Sequence, residues 1–134
     1  MSNPTLGIIG GGQLGSLLAI AAEKLNIKTV ILSDDTNAPA KNFTPNFICG
    51  NYEDEKIIND FISKVDLVTF EFENIPYKVL KNINENKTVL PRPEINKLIQ
   101  NRYTEKDFLN KNDIRTTRYT LIKDEDEIKT NQSL

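Results

Sequence analysis

Histidine and tryptophan are absent from this chain, and cysteine occurs once, at Cys49, among 134 residues. Without histidine a Ser-His-Asp triad cannot be assembled, and a zinc centre of the usual nitrogen and sulfur ligands is excluded as well. One cysteine cannot close an internal disulfide. Preceded by Phe47 and Ile48, it is expected to be a core thiol on a strand, in a reducing compartment. An excess of charge of one sign is also missing. Lysine and arginine total 17 against 19 acids, for a net charge of −2 and a pI near 5.2, which leaves no broad basic surface for nucleic acid. No apolar run approaches the length of a membrane span. The start, Met1-Ser2-Asn3-Pro4, has no basic region followed by a long apolar stretch. These absences predict a cytoplasmic protein with neither a membrane nor a nucleic acid as partner. The length allows one domain, or one domain and the beginning of another.

What is present is concentrated in Leu6-Gly7-Ile8-Ile9-Gly10-Gly11-Gly12-Gln13-Leu14-Gly15. Leu6, Ile8 and Ile9 read as a buried strand. Leu14, Leu17, Leu18, Ala21 and Leu25 then recur at helical spacing, so a helix is expected from about Gly12, with these residues as its apolar stripe. Gly10, Gly12 and Gly15 fall on the three glycine positions of GxGxxG. In that motif the first glycine permits a tight turn, the second lets a ligand approach the backbone, and the third lets the helix lie close on the strand. The free N–H groups and the helix dipole favour phosphate over such a loop. Gln13, at the first turn, can donate or accept towards a ligand there.

Further strands are predicted at Lys28–Leu32, Phe47–Cys49, Leu67–Phe70 and Thr88–Leu90. They alternate with helices carrying Ile57, Ile58, Phe61, Ile62 and Val65, and then Val79, Leu80 and Ile83 after Pro76. That alternation implies βαβ crossovers, and hence a Rossmann-like α/β parallel sheet flanked by helices. Ligands bind such sheets outside the carboxyl ends of the strands. That rule selects the Gly10–Gly15 loop, Asp34 with Asp35, and Glu71 with Glu73. The aspartates fit either a nicotinamide ribose or a turn. Period-two alternation predicts Glu71 and Glu73 on one face and Phe70 and Phe72 on the other. Paired acids repel unless donors such as sugar hydroxyls or a basic partner meet them.

Beyond residue 90 the pattern changes. Ile95, Leu98 and Ile99 form a helical stripe, and Thr104-x-x-Asp107 resembles a capping box opening a helix with Phe108 and Leu109 as its apolar face. Arg102, just before it, could clamp phosphate. A strand is expected over Arg118–Ile122. An acidic solvated stretch (Asp124–Glu127) and a polar tail (Lys129–Leu134) follow.

These residues resemble the N-terminal part of the N5-carboxyaminoimidazole ribonucleotide synthetase family, within the ATP-grasp superfamily. The matching runs are Gly7–Gly15, Asn37-Ala38-Pro39-Ala40 and, most specifically, Val68-Thr69-Phe70-Glu71-Phe72-Glu73-Asn74-Ile75-Pro76. Pro91-Arg92-Pro93 and Gln100–Lys106 add to them. The resemblance implies a pre-ATP-grasp domain over residues 1–100 and the start of an ATP-grasp domain over 101–134. It implies a homodimeric ligase of purine biosynthesis that uses ATP and Mg²⁺ to activate bicarbonate as carboxyphosphate, and passes the carboxyl group to 5-aminoimidazole ribonucleotide. By position, Gly12, Gln13 and Leu14 would lie by the phosphate and ribose, with Glu71 or Glu73 on ribose hydroxyls, and Arg102 would contact ATP. Two departures are Ser16, where a basic residue is common, and Ser33-Asp34 in place of Asp-Pro. The family's further ATP- and Mg²⁺-binding residues match nothing in these 134 residues, so the chain alone is expected to be inactive. Two other readings compete: a nicotinamide-dinucleotide-binding domain, supported by GxGxxG and Asp34, and a dimerisation module.

Overall fold

The computed structural model describes residues 3–130. It divides into two compact units, residues 1–96 and 97–134. The first is a five-stranded sheet with helices. Its strands are β1 (Thr5–Ile9), β2 (Lys28–Ser33), β3 (Phe47–Cys49), β4 (Leu67–Phe70) and β5 (Thr88–Val89). They lie in the order β3-β2-β1-β4-β5, all parallel. The helices are α1 (Gln13–Lys24), α2 (Glu55–Ser63) and α3 (Tyr77–Asn86). The α/β class, all five strands and their connecting helices therefore stand where periodicity puts them.

Both faces of the sheet are covered, which explains its nearly continuous apolar strands. Alternation sends Ile8 and Ile31 to one face, where they pack with Ala19 of α1 and with Ala40. Ile9, Val30, Leu32 and Val68 go to the other face, against Phe61 of α2 and Leu80 and Ile83 of α3. Phe61 is fully buried, and a Cβ at Gly7 would come within 2.6 Å of its ring. Gly7 therefore makes room for the largest fully buried side chain of the core. Asp54 caps α2, its carboxylate accepting from the Lys56 N–H at 2.9 Å.

The face of α1 is a correction. Leu14, Leu17 and Leu25 are 59%, 60% and 68% exposed, whereas Gly15, Ser16, Ala19 and Ala22 are buried. The helix crosses too close to the sheet to seat leucines: a Cβ at Gly15 would lie 2.3 Å from the Gly10 carbonyl oxygen. Small residues define its inner face, and the leucine stripe points outward. Cys49 is likewise exposed, because β3 is an edge strand and Cys49 is its last residue. The expected core thiol is not in the core.

Helix α4 (Pro93–Ile99) buries Pro93 and Asn96, and Ile95 of its expected stripe is exposed. The Asn96 amide donates to the Ile75 carbonyl at 3.2 Å. In the second unit, α5 (Arg102–Lys111) is capped by Asn101, whose side chain accepts from the Tyr103 and Thr104 N–H groups. The Thr104 hydroxyl donates to the Leu98 and Asn101 carbonyls, so Asn101 performs the capping expected of Thr104. Phe108 is exposed, Leu109 is half-buried, and α5 has no buried residue. Residues 118–122 are not a strand; extended backbone needs a ladder partner to become one. The acidic stretch opens the short helix α6 (Glu125–Thr130). Of the polar tail, residues 131–134 lie outside the described residues, as do Met1 and Ser2 at the other end.

Candidate functional site

Strand register builds the site. Ile9 is paired with Leu32 on one side and Phe70 on the other, so the next residues, Gly10, Ser33 and Glu71, emerge side by side at the carboxyl edge. The ladder runs one step further, with the Gly10 N–H donating to the Leu32 carbonyl at 2.9 Å and the Glu71 N–H to the Ile9 carbonyl at 3.1 Å. Gly10 has φ +114°, a conformation only glycine adopts without strain. It turns the chain so that Gly11 and Gly12 pass in front of the sheet edge. The Asn37–Ala40 run docks there: the Ala40 N–H donates to the Gly11 carbonyl at 3.1 Å, and a Cβ on Gly11 would strike the Ala38 methyl at 2.6 Å.

The result is a cleft of about 270 Å³ lined by Gly10, Gly11, Gly12, Asp34, Tyr52 and Glu71 among others. Glu71 is half-buried, and its Oε1 accepts from the Gly12 N–H at 3.2 Å, at the start of α1. The atom that approaches the Gly12 backbone is thus a protein carboxylate. Glu73 does not line this cleft. Strand β4 ends at Phe70 and the chain turns at Glu73-Asn74, so period two does not persist that far, and Glu73 is exposed. Phe72 lines the cleft instead. Gln13 and Leu14 are exposed on the first turn of α1, where N–H groups have no intrahelical carbonyl to reach.

Asp34 is exposed at the rim. Asp35 caps a turn, its carboxylate accepting from the Asn37 N–H at 2.8 Å. Tyr52 was not singled out by sequence reasoning. It follows β3, so the rule that selects carboxyl ends of strands would have found it. Its ring is buried and lies 6.4 Å from that of Phe72. Its hydroxyl faces Asp34 and Ser33, and burial, together with the Asp34 carboxylate, pushes its pKa up to about 12. The neighbouring Glu53 pairs with Lys78 of α3. Residues 52 and 53 therefore tie the end of β2 to the segment after β4. In the second unit, the Arg102 guanidinium is exposed and donates to Glu105 at 3.0 Å. Among the described residues no group of three or more His, Cys, Asp or Glu side chains is arranged to hold a metal ion. No described helix is long and apolar enough to cross a membrane.

Comparison with known proteins finds relatives that share the fold. Residues 3–100 match the model of the ribonucleotide synthetase preATP-grasp domain family. The N5-carboxyaminoimidazole ribonucleotide synthase of Brucella melitensis biotype 1 is 39% identical over 122 residues, covering 91% of this chain and 34% of that protein. The crystal structure of N5-carboxyaminoimidazole synthetase from Staphylococcus aureus complexed with ADP superposes with a TM-score of 0.87 at 34% identity, over 98% of this chain and 35% of that one. The N5-carboxyaminoimidazole synthase of Aspergillus clavatus, in complex with ADP and 5-aminoimidazole ribonucleotide, gives 0.73 at 28% identity, over 82% of this chain and 30% of that one. The chain spans about a third of the length of the curated relatives it matches.

Proposed function

The chain belongs to the ribonucleotide synthetase preATP-grasp family, and on that premise we propose that it is the substrate-side part of an ATP-dependent ligase. The reaction is carboxylation of 5-aminoimidazole ribonucleotide with bicarbonate to N5-carboxyaminoimidazole ribonucleotide, in purine biosynthesis. Residues 1–100 form its pre-ATP-grasp domain and 101–134 the beginning of its ATP-grasp domain. Homodimerisation and a cytoplasmic location belong to the same proposal.

The observation that carries it is Glu71, a carboxylate held at the carboxyl edge of the sheet by the Gly12 N–H. One hydrogen bond leaves a carboxylate with acceptor capacity for hydroxyls, so of the two acids Glu71 is the one that receives ribose hydroxyls, and Glu73, outside this cleft, is the alternative. The first-turn N–H groups of Gln13 and Leu14 face the 5′-phosphate. The chain's own contribution is to bind and orient the ribonucleotide so that its amine is presented for carboxylation. ATP supplies the activation of bicarbonate. Arg102 fits a role at the nucleotide in charge and exposure, and an ATP phosphate there competes with Glu105. For Mg²⁺ the described side chains offer no cluster, so no residue is assigned to it and no step is drawn through it. The dinucleotide reading has less support, since Glu71 sits where a pyrophosphate would meet the loop.

A thermal titration tests the proposal. A ligand that binds only the folded state, at a hundredfold excess over its Kd, stabilises it by about 2.7 kcal/mol. Melting should rise with 5-aminoimidazole ribonucleotide, and the rise should be lost in Glu71→Ala and kept in Glu73→Ala; the opposite pattern makes Glu73 the acid that meets the ribose. A rise with NAD and none with the ribonucleotide overturns the reading.

A further inference from the structure

The glycine-rich loop has the shape of a phosphate cradle, yet its inner position is filled by the protein itself. Glu71 Oε1 lies 3.2 Å from the Gly12 N–H. Cβ atoms built at Gly10, Gly12 and Gly15 would lie 2.7, 3.3 and 3.5 Å from that same oxygen. Three glycines thus converge on one carboxylate oxygen. The charge that a helix N-terminus attracts from a ligand is supplied internally by the residue that follows β4. The cleft beside it is lined by two more acids, Asp34 and Asp35, and by no lysine or arginine.

We infer that Glu71 is a specificity-determining residue that bars diphosphate groups, and with them dinucleotides, from the Gly10–Gly12 loop. A diphosphate laid along this loop would have to displace Glu71 from the Gly12 N–H and remain close to its charge. Both effects disfavour the polyanion and leave neutral hydroxyls as the favoured partners of the carboxylate. A single phosphate further out, at the first-turn N–H groups of Gln13 and Leu14, is compatible with this arrangement. The inference does not depend on the ribonucleotide reading, because it rests on the loop and the acid alone.

The test uses the whole 134-residue chain, with sodium pyrophosphate and NAD as probes and sodium chloride at matched ionic strength as the control. Melting shifts are read for the unsubstituted chain, Glu71→Gln and Glu71→Ala. The unsubstituted chain should show no shift beyond the salt control. Glu71→Ala should bind pyrophosphate about tenfold or more tightly, the scale of removing one like charge at hydrogen-bonding distance. Glu71→Gln should fall between them, since it keeps an acceptor for the Gly12 N–H and loses the charge. If Glu71→Ala does not fold, Glu71→Gln carries the same prediction. A pyrophosphate shift in the unsubstituted chain equal to that of the variants overturns the inference, as does a folded variant that gains none. A parallel arm with 5-aminoimidazole ribonucleotide reports on the proposed function separately, so that either reading can fail alone.

Discussion

The two units of this chain use the same sequence grammar with different results. Every buried hydrophobic side chain among the described residues lies in residues 1–96, including Phe61, Leu80 and Ile83. In residues 97–134, α5 has apolar residues at helical spacing and no buried residue. Periodicity therefore states a capacity for burial, and a facing surface decides whether it is used. Helix α1 teaches the same within the first unit, since its leucines are periodic and exposed while its small residues are buried.

The largest expected effect sets a phenylalanine of each unit against the other. Phe61→Ala should cost about 3–5 kcal/mol, as removal of a fully buried aromatic does. Phe108→Ala, at a position 46% exposed, should change stability by less than about 0.5 kcal/mol. Denaturant melts of both variants check the pair, and equal costs would break the comparison. Next is Gly15→Ala, which tests whether the close approach of α1 is rigid. Its Cβ would meet a backbone oxygen at 2.3 Å, and overpacking of this kind costs about 1–3 kcal/mol. A neutral result would mean that the helix can shift outward.

A further effect, confined to high pH, concerns the tyrosine that lines the cleft. The folded-state pKa of Tyr52, about 12, lies above its ordinary value of 10.0. The folded chain therefore holds this proton more tightly than the unfolded chain. The resulting stability is fully present below pH 10 and is lost as pH rises towards 12. Between those limits the unsubstituted chain should lose stability more steeply than Tyr52→Phe, by up to about 2–3 kcal/mol. Urea melts from pH 9 to 11.5 compare the slopes, and parallel slopes would place Tyr52 in a more solvated setting.

Much of this was legible in the sequence because it is local. The five strands, the turn at Gly10, the tight packing at Gly15 and a cleft at the carboxyl edge follow from periodicity and glycine chemistry. Thr69-Phe70-Glu71-Phe72-Glu73-Asn74 pointed to the family. What was not legible depends on neighbours distant in sequence. The exposure of Cys49 depends on β3 being at the edge of the sheet. The separation of Glu71 from Glu73 depends on where β4 stops pairing. The inner face of α1 depends on how close the helix lies to Gly10. Asn101 displaced Thr104 as the cap because its side chain reaches two first-turn N–H groups. Tyr52 follows β3, at a carboxyl end the strand rule covers, but its contacts with Phe72 and Asp34 are tertiary.

The convergence of glycines on Glu71 also constrains how this loop can change over generations. At Gly12 the one atom outside the local backbone within reach of an added Cβ is Glu71 Oε1, at 3.3 Å. An alanine there is crowded while residue 71 is glutamate and unobstructed once residue 71 is short. The two positions are therefore epistatic, and the order of substitution matters. With residue 71 shortened, a side chain at 12 is accepted directly, whereas in the reverse order the Glu71 carboxylate must first give way by a few tenths of an ångström. In this chain the glycine at 12 and the acid at 71 work as a pair: the space above one is taken by the tip of the other.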